Sequence, residues 1–272
     1  MGNCRSGVGI LRNSVHFWKI EAAGNDFVLI DHRGLFFKEH LSELANFLCD
    51  RHFGVGADGT IFIQELDKYD FEMLYYNADG SGPVMCGNGG RAALLFVNES
   101  GICTQKRYKF HAADGVHLGI VENGKESLTI QQPENFHKIN LESEEAYLVD
   151  TGVSHLVKVQ KNLISMDIYS KSPELRKKFD ANIDYIEKVS HRNWAIRTFE
   201  RGVEDETLSC GTGAVASAFI ISEVFNEKMP VTLKARGGDL RIEKISDKLW
   251  LNGPTRKVFE GTIKLKNLIK EV

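Results

Sequence analysis

The 272-residue chain has no excess of one charge sign, no long apolar run and no paired-cysteine motif, and each absence removes a class of protein. Thirty-four basic against 37 acidic residues leave a formal charge of -3, so no chain-wide cation field exists to hold nucleic acid or anionic lipid. No stretch approaches the roughly 20 apolar residues that cross a bilayer as a helix, and the patch from Val8 to Leu11 is too short for a secretory signal core. The expectation is a cytoplasmic protein with neither a nucleic-acid nor a membrane partner. The five cysteines, Cys4, Cys49, Cys86, Cys103 and Cys210, are an odd count without C-x-x-C spacing, which argues against a disulfide framework and a structural zinc site. There is no G-K-[ST] phosphate loop and no H-E-x-x-H, and the nine histidines show no ligand spacing, so no metal and no cofactor is expected. Gly54 to Gly59 matches G-x-G-x-x-G, but it follows a helical pattern and precedes a strand, whereas a dinucleotide site needs strand, loop, then helix.

What is present is an ordinary globular composition, 42% hydrophobic and 26% charged, on a chain long enough for about two domains. Short alternating runs bounded by Gly, Asn and Asp predict a majority of strands, and three segments have helical period, so the fold class is α+β. The first helix, expected over 38–51, is an amphipathic surface helix with Leu41, Leu44, Ala45 and Leu48 on one face. The other two, 91–97 and 214–224, are apolar nearly all round, which predicts burial. Both follow the same seven-residue pattern: Cys86-Gly87-Asn88-Gly89-Gly90-Arg91-Ala92 and Cys210-Gly211-Thr212-Gly213-Ala214-Val215-Ala216 share C-G-x-G-x-x-A. The repeat predicts two pseudo-symmetric domains, each a strand-rich layer wrapped around a central helix. Their expected bounds are 15–130 with 254–272, and 131–253, after an N-terminal extension over 1–14.

A helix start offers unpaired backbone N–H groups and the positive end of the macrodipole, which favour a thiolate or a bound carboxylate. Such a position lowers a thiol's pKa from about 8.5 and makes Cys86 and Cys210 candidate bases. The glycines at 87, 89, 211 and 213 let a ligand approach the amides. Two such thiols suit racemisation, in which one base removes an α-proton from one face while a conjugate acid delivers a proton to the other. The second thiol must then begin protonated.

Over nearly the whole chain from about Phe17, these residues resemble the diaminopimelate epimerase family, which is cofactor-independent. The resemblance rests on Gly24-Asn25-Asp26-Phe27, on Tyr76-Asn77-Ala78-Asp79-Gly80-Ser81 leading to Met85-Cys86-Gly87-Asn88-Gly89, and on Glu200-Arg201-Gly202 leading to Ser209-Cys210-Gly211-Thr212-Gly213. It implies that Cys86 and Cys210 are the two bases, with His155 and Glu200 beside them. It implies that Gly87, Asn88, Gly211 and Thr212 cradle the carboxylate at the reacting centre. Asn25, Asn77, Asn182, Glu200 and Arg201 are then substrate binders, with Arg201 suited to a bidentate contact with the distal carboxylate. The implied partner is a small amino acid, LL- or meso-diaminopimelate, on the way to lysine and peptidoglycan; a homodimer is left open.

Two positions depart from the family pattern. Gly59 stands where Gln is common, and Gly152-Val153-Ser154-His155 replaces Gly-Asn-Pro-His. These changes bear on substrate identity rather than on reaction type. The competing readings are a racemase of histidine, proline or hydroxyproline on the same fold, and a non-catalytic amino-acid-binding or thiol redox protein in which Cys86 and Cys210 form a disulfide. Asn88, where proline-type relatives usually have His, favours diaminopimelate.

Overall fold

The structure, a computed structural model, describes residues 14–37, 39–133, 135–141 and 144–265. Cys4 and the expected extension, apart from Ser14, lie outside the described residues. The chain divides into two compact units, Met1–Leu128 with Thr255–Val272, and Thr129–Pro254.

The first unit begins with β1 (Ser14–Ala22), β2 (Asn25–Asp31), α1 (Leu41–Cys49), β3 (Gly59–Gln64), β4 (Phe71–Asn77), α2 (Gly87–Glu99), β5 (Arg107–Ala112), β6 (Gly115–Glu122) and β7 (Lys125–Ile130). β1 and β2 are antiparallel, and β2 runs parallel to β3 through the α1 crossover. β3 and β4 are antiparallel, and β4 runs parallel to β5 through the α2 crossover. Alternation along β3 sends neighbours to opposite faces: Phe62 joins the apolar cluster under α1, while Ile61 meets Gly89 of α2.

The second unit contains β8 (Phe136–Leu141), β9 (Glu144–Asp150), β10 (Ser154–Val159), a 3₁₀ turn (Leu163–Ser165), α3 (Ser172–Phe179), β11 (Asn182–Ser190), β12 (Asn193–Glu200), β13 (Asp205–Thr207), α4 (Gly211–Phe225), β14 (Val231–Ala235), β15 (Gly238–Ile245) and β16 (Lys248–Asn252). It repeats the same order. β9 is antiparallel to β10, which runs parallel to β11 through α3. β11 is antiparallel to β12, which runs parallel to β14 through α4. The chain then returns to the first unit as β17 (Thr255–Lys264), antiparallel to β1, as β8 is to β9.

The two apolar helices are buried as expected and longer than predicted. Residues Gly87 to Val97 of α2 are all buried, with Trp18 of β1 edge-on to Phe96 at a centroid distance of 5.2 Å. α4 buries nine of its 15 residues and brings Phe219 against Phe136 and Phe225 against Trp194. Each fully buried side chain of this kind, such as Leu94 and Phe96 of α2, contributes about 1.5–3 kcal/mol. The Cys-Gly turns are therefore not flexible loops before the helices, because their glycines form the first helical turn. α1 is shorter than the predicted 38–51, and Lys38 lies outside the described residues.

The helix α3 was not predicted. Its Ser-Pro-Glu-Leu-Arg-Lys-Lys-Phe sequence has little apolar periodicity, and only Ser172 is buried; a proline in the first turn and three cations in the last turn favour it instead. Among the strands, β13 has only three residues and β17 scarcely buries a side chain. No helix among the described residues is long and apolar enough to cross a membrane.

Candidate active site

Cys86 and Cys210 occupy equivalent places. Each is the N-cap of its unit's buried helix, in extended conformation, with φ and ψ of -135° and 121° at Cys86 and -126° and 116° at Cys210. Each Sγ accepts from the amide three residues on, Gly89 N or Gly213 N, at 3.4 Å, in the place that a Ser or Asp oxygen usually fills. The amides of Gly87 and Asn88, and of Gly211 and Thr212, belong to the first helical turn, whose N–H groups have no intrahelical acceptor.

In the first unit Asn25 and Asn88 belong to one chain of hydrogen bonds. Asn25 donates from Nδ2 to Asp58 Oδ2 at 3.2 Å and accepts from Asn88 Nδ2, while Asn88 Oδ1 accepts from Arg91 Nη2 at 2.9 Å. Arg91 is wholly buried, and its Nε and Nη1 have no hydrogen-bond partner among the described residues. Burial pulls its guanidinium down to about 10, opposed by negative charge at Cys86, Glu126 and Glu21. Asn77 ends β4 opposite Gly59 and donates from Nδ2 to Ser81 Oγ at 3.0 Å, which builds the turn that follows. A Cβ at Gly59 would stand 2.2 Å from the Tyr75 ring. The side chain expected at 59 from the family pattern is thus replaced by space that Tyr75 occupies.

In the second unit His155, Asn182, Glu200 and Arg201 come together around β10, β11 and β12. Asn182 Nδ2 lies 3.4 Å from His155 Nε2, and its Oδ1 accepts from Arg201 N at 2.8 Å. The Arg201 guanidinium donates from Nη1 to the Asp180 carbonyl and to Asp180 Oδ2 at 3.1 and 3.0 Å. Asp180 is largely exposed, so this ion pair is weak and an incoming carboxylate can take its place. Thr212 Oγ1 lies 3.3 Å from Cys210 Sγ.

One expectation needs correction. A helix start was expected to lower both thiols, but burial pushes Cys210 well above the usual thiol range, and negative charge at Glu200 and Asp184 pushes it further. The hydrogen bonds from Thr212 and Gly213 act the other way and are outweighed. The surroundings of Cys210 thus oppose a negative charge on its sulfur more than the helix start favours one.

Val153, the other departure, sits in a tight turn. Its carbonyl accepts from Thr151 N and Thr151 Oγ1 at 3.1 and 3.3 Å. Ser154 beside it lines a cavity of about 380 Å³ with Gln131, His137 and Asp150.

Asp184, Thr198, Asp58 and Arg91 escaped the sequence reading. Two of them carried a signal: Asp184 interrupts the apolar run Ile183-Asp184-Tyr185-Ile186, and Arg91 opens an otherwise apolar helix. A charge at an apolar position is either an error in the periodic reading or a buried group with a task.

The family model described as diaminopimelate epimerase matches residues 17–134. A diaminopimelate epimerase of Flavobacterium psychrophilum is 36% identical over 257 residues, covering 90% of this chain and 99% of the relative. One from a Nitratiruptor species is 40% identical over 245 residues, covering 89% and 96%. Among solved structures, a PhzF-family phenazine biosynthesis protein of Bacillus anthracis superposes with a TM-score of 0.72 at 18% identity, covering 92% of this chain and 99% of that one. A hydroxyproline epimerase from Agrobacterium vitis, with bound trans-4-hydroxy-L-proline, gives 0.66 at 11% identity, covering 94% of each. At such identities the two structures carry the fold alone. The sequence relatives carry more, since over a third of their residues are matched along nearly their whole length: this chain belongs to the diaminopimelate epimerase family.

Proposed function

We propose that this protein is a cytoplasmic diaminopimelate epimerase that interconverts the LL and meso isomers by moving the α-proton between two thiols. The observation that carries the reading is the pairing of Cys86 and Cys210. Both cap buried helices of the same topology, and both hold Sγ on the third amide of the helix. The two compact units act as the two epimerase domains.

Starting from the LL isomer, the Cys86 thiolate removes the α-proton and the Cys210 thiol returns one to the opposite face; the reverse reaction exchanges the roles. As the α-carbon loses its proton, charge moves onto the α-carboxylate. The amides at Gly87-Asn88 and Gly211-Thr212 stabilise it there, preorganised by the helix starts. Asn25, held by Asp58 and Asn88, binds the substrate with Asn77, Asn182 and Glu200. Arg201 releases Asp180 to take the distal carboxylate as a two-donor fork. The two thiols supply both proton-transfer groups, so the chemistry asks for no cofactor.

The test is incubation with LL-diaminopimelate and a panel of other L-amino acids, including proline, hydroxyproline and histidine, in D2O with proton NMR at the α position. Exchange on diaminopimelate alone, insensitive to EDTA and without added pyridoxal phosphate, is expected. Exchange on a different amino acid instead would assign the reaction but overturn the substrate, and dependence on an added cofactor would falsify the two-thiol reading.

A further inference from the structure

The two units place different residues at equivalent positions, and the difference isolates one buried charge. In the first unit Ile61 of β3 pairs with Tyr75 of β4 and lies against Gly89, and Phe27 of β2, two residues out of register with Ile61, is edge-on to Tyr75 at 5.8 Å. The matching positions of the second unit, by strand order and register, are His155, Asp184 and Thr198 on β10, β11 and β12. All three are buried on the α4 face, because their neighbours Leu156, Ile183, Tyr185 and Phe199 fill the apolar cluster on the other face. The first unit fills this place with apolar and aromatic side chains, so the polar trio distinguishes the second unit from it.

The hydrogen bonds are specific. Asp184 Oδ2 accepts from His155 Nδ1 at 2.6 Å, and Oδ1 accepts from Thr198 Oγ1 at 2.6 Å. A Cβ at Gly213 would stand 2.3 Å from Asp184 Oδ1, so the carboxylate packs against the residue whose amide donates to Cys210 Sγ. We infer that Asp184 is a positioning residue for proton transfer at Cys210: it fixes the tautomer of His155 and keeps the resting proton on Cys210. With Nδ1 on the carboxylate, His155 turns Nε2 towards Asn182 Nδ2, a donor, because Asn182 Oδ1 already accepts from Arg201 N. A thiolate formed at Cys210 meets the negative charge of Asp184 on β11 and of Glu200 at the end of β12, and this drives it to recover a proton. The inference rests on the reading of Cys210 as one of the two proton-transfer groups.

The closing experiment reads the thiol without substrate and the reaction with it. Thiolate absorbance at 240 nm is titrated in C86A, with C86A/C210A subtracted, alone and combined with D184N. The Cys210 titration is expected to move to lower pH by about one unit or more in D184N. In the enzyme with both cysteines, D184N is expected to lower kcat by about 100-fold with KM changed less than threefold, and D184E to recover part of kcat. A folded D184N with an unmoved Cys210 titration, or with kcat within twofold of wild type, overturns the inference. If D184N does not fold, T198V carries the test, because it removes one hydrogen bond to the carboxylate and leaves its charge. A three- to tenfold loss of kcat supports the inference, and kcat within twofold overturns it. Wild-type enzyme that shows no exchange on any amino acid overturns the functional reading instead, whatever the Cys210 titration does.

Discussion

The turns at Cys86 and Cys210 have the same backbone and opposite electrostatics. Both cysteines cap a buried helix and accept an amide from the third residue on. Behind Cys86 the helix carries a buried cation, Arg91, whose equivalent in α4 is Val215. Behind Cys210 the strand carries a buried carboxylate, Asp184, whose equivalent in β3 is Ile61. A reaction that needs one thiolate and one thiol is served by such a division: the duplicated backbone supplies two like positions, and a few buried side chains make them unlike. Backbone geometry and charge are thus separable features of this site.

Removal of either sulfur tests the comparison most severely. C86A and C210A are each expected to lower epimerisation by at least about 1000-fold, since each deletes one of the two proposed proton-transfer groups. Near wild-type interconversion by either variant, followed by NMR or by a coupled assay, sinks the two-thiol mechanism however well the motifs agree.

A milder probe uses the glycines that donate to the two sulfurs. A Cβ at Gly213 would lie 2.3 Å from the Asp184 carboxylate, which His155 and Thr198 hold in place. At Gly89 the nearest atom is the tip of Ile61 at 3.2 Å, which can shift. G213A is therefore expected to cost about 3 kcal/mol in urea unfolding and G89A less than about 1 kcal/mol, helped by the better helix propensity of Ala. Equal costs would mean that the carboxylate is not rigidly placed.

At the substrate end, R201K keeps the charge but loses the planar fork. About a tenfold rise in KM for diaminopimelate is expected, with a smaller change for amino acids that lack a distal carboxylate. An unchanged KM removes Arg201 from the site.

The smallest expected effect is on stability at alkaline pH. Burial pushes Cys49 up to about 11 and Cys210 higher than the usual thiol range. In the unfolded chain a thiol loses its proton near pH 8.5, so above that pH the folded state holds more protons than the unfolded one. The stabilising contribution is complete below pH 8.5 and is lost as pH rises towards 11 through the Cys49 titration. The melting temperature is expected to fall over this range and to fall less in C49V; parallel curves for the two proteins would show that Cys49 is not the group responsible.

Much of this was legible from residue order alone. The repeated C-G-x-G-x-x-A marks the two helix starts because a helix N-terminus is a local structure, set by its cap residue and the glycines that follow. The apolar helices announced their burial for the same reason. Asn25, Asn77, Asn182, Glu200 and Arg201 were nominated only through the family motifs, since an Asn in a turn and an Asn on a ligand have the same local pattern. The α3 helix was missed because it has no apolar stripe, and the proline in its first turn and the cations in its last favour it instead.

The amino-acid sequence by itself determined the fold class, the two cysteines and the family, all of which depend on local patterns or on matched residues. Only the tertiary structure decided the electrostatic environment of Cys210. Neighbours far apart in sequence set it: Asp184 and Glu200 come from separate strands, and α4 buries the thiol between them and its own first turn. A helix start favours a thiolate, while burial beside two carboxylates opposes it more strongly, and no local pattern records which of these a chain has brought together.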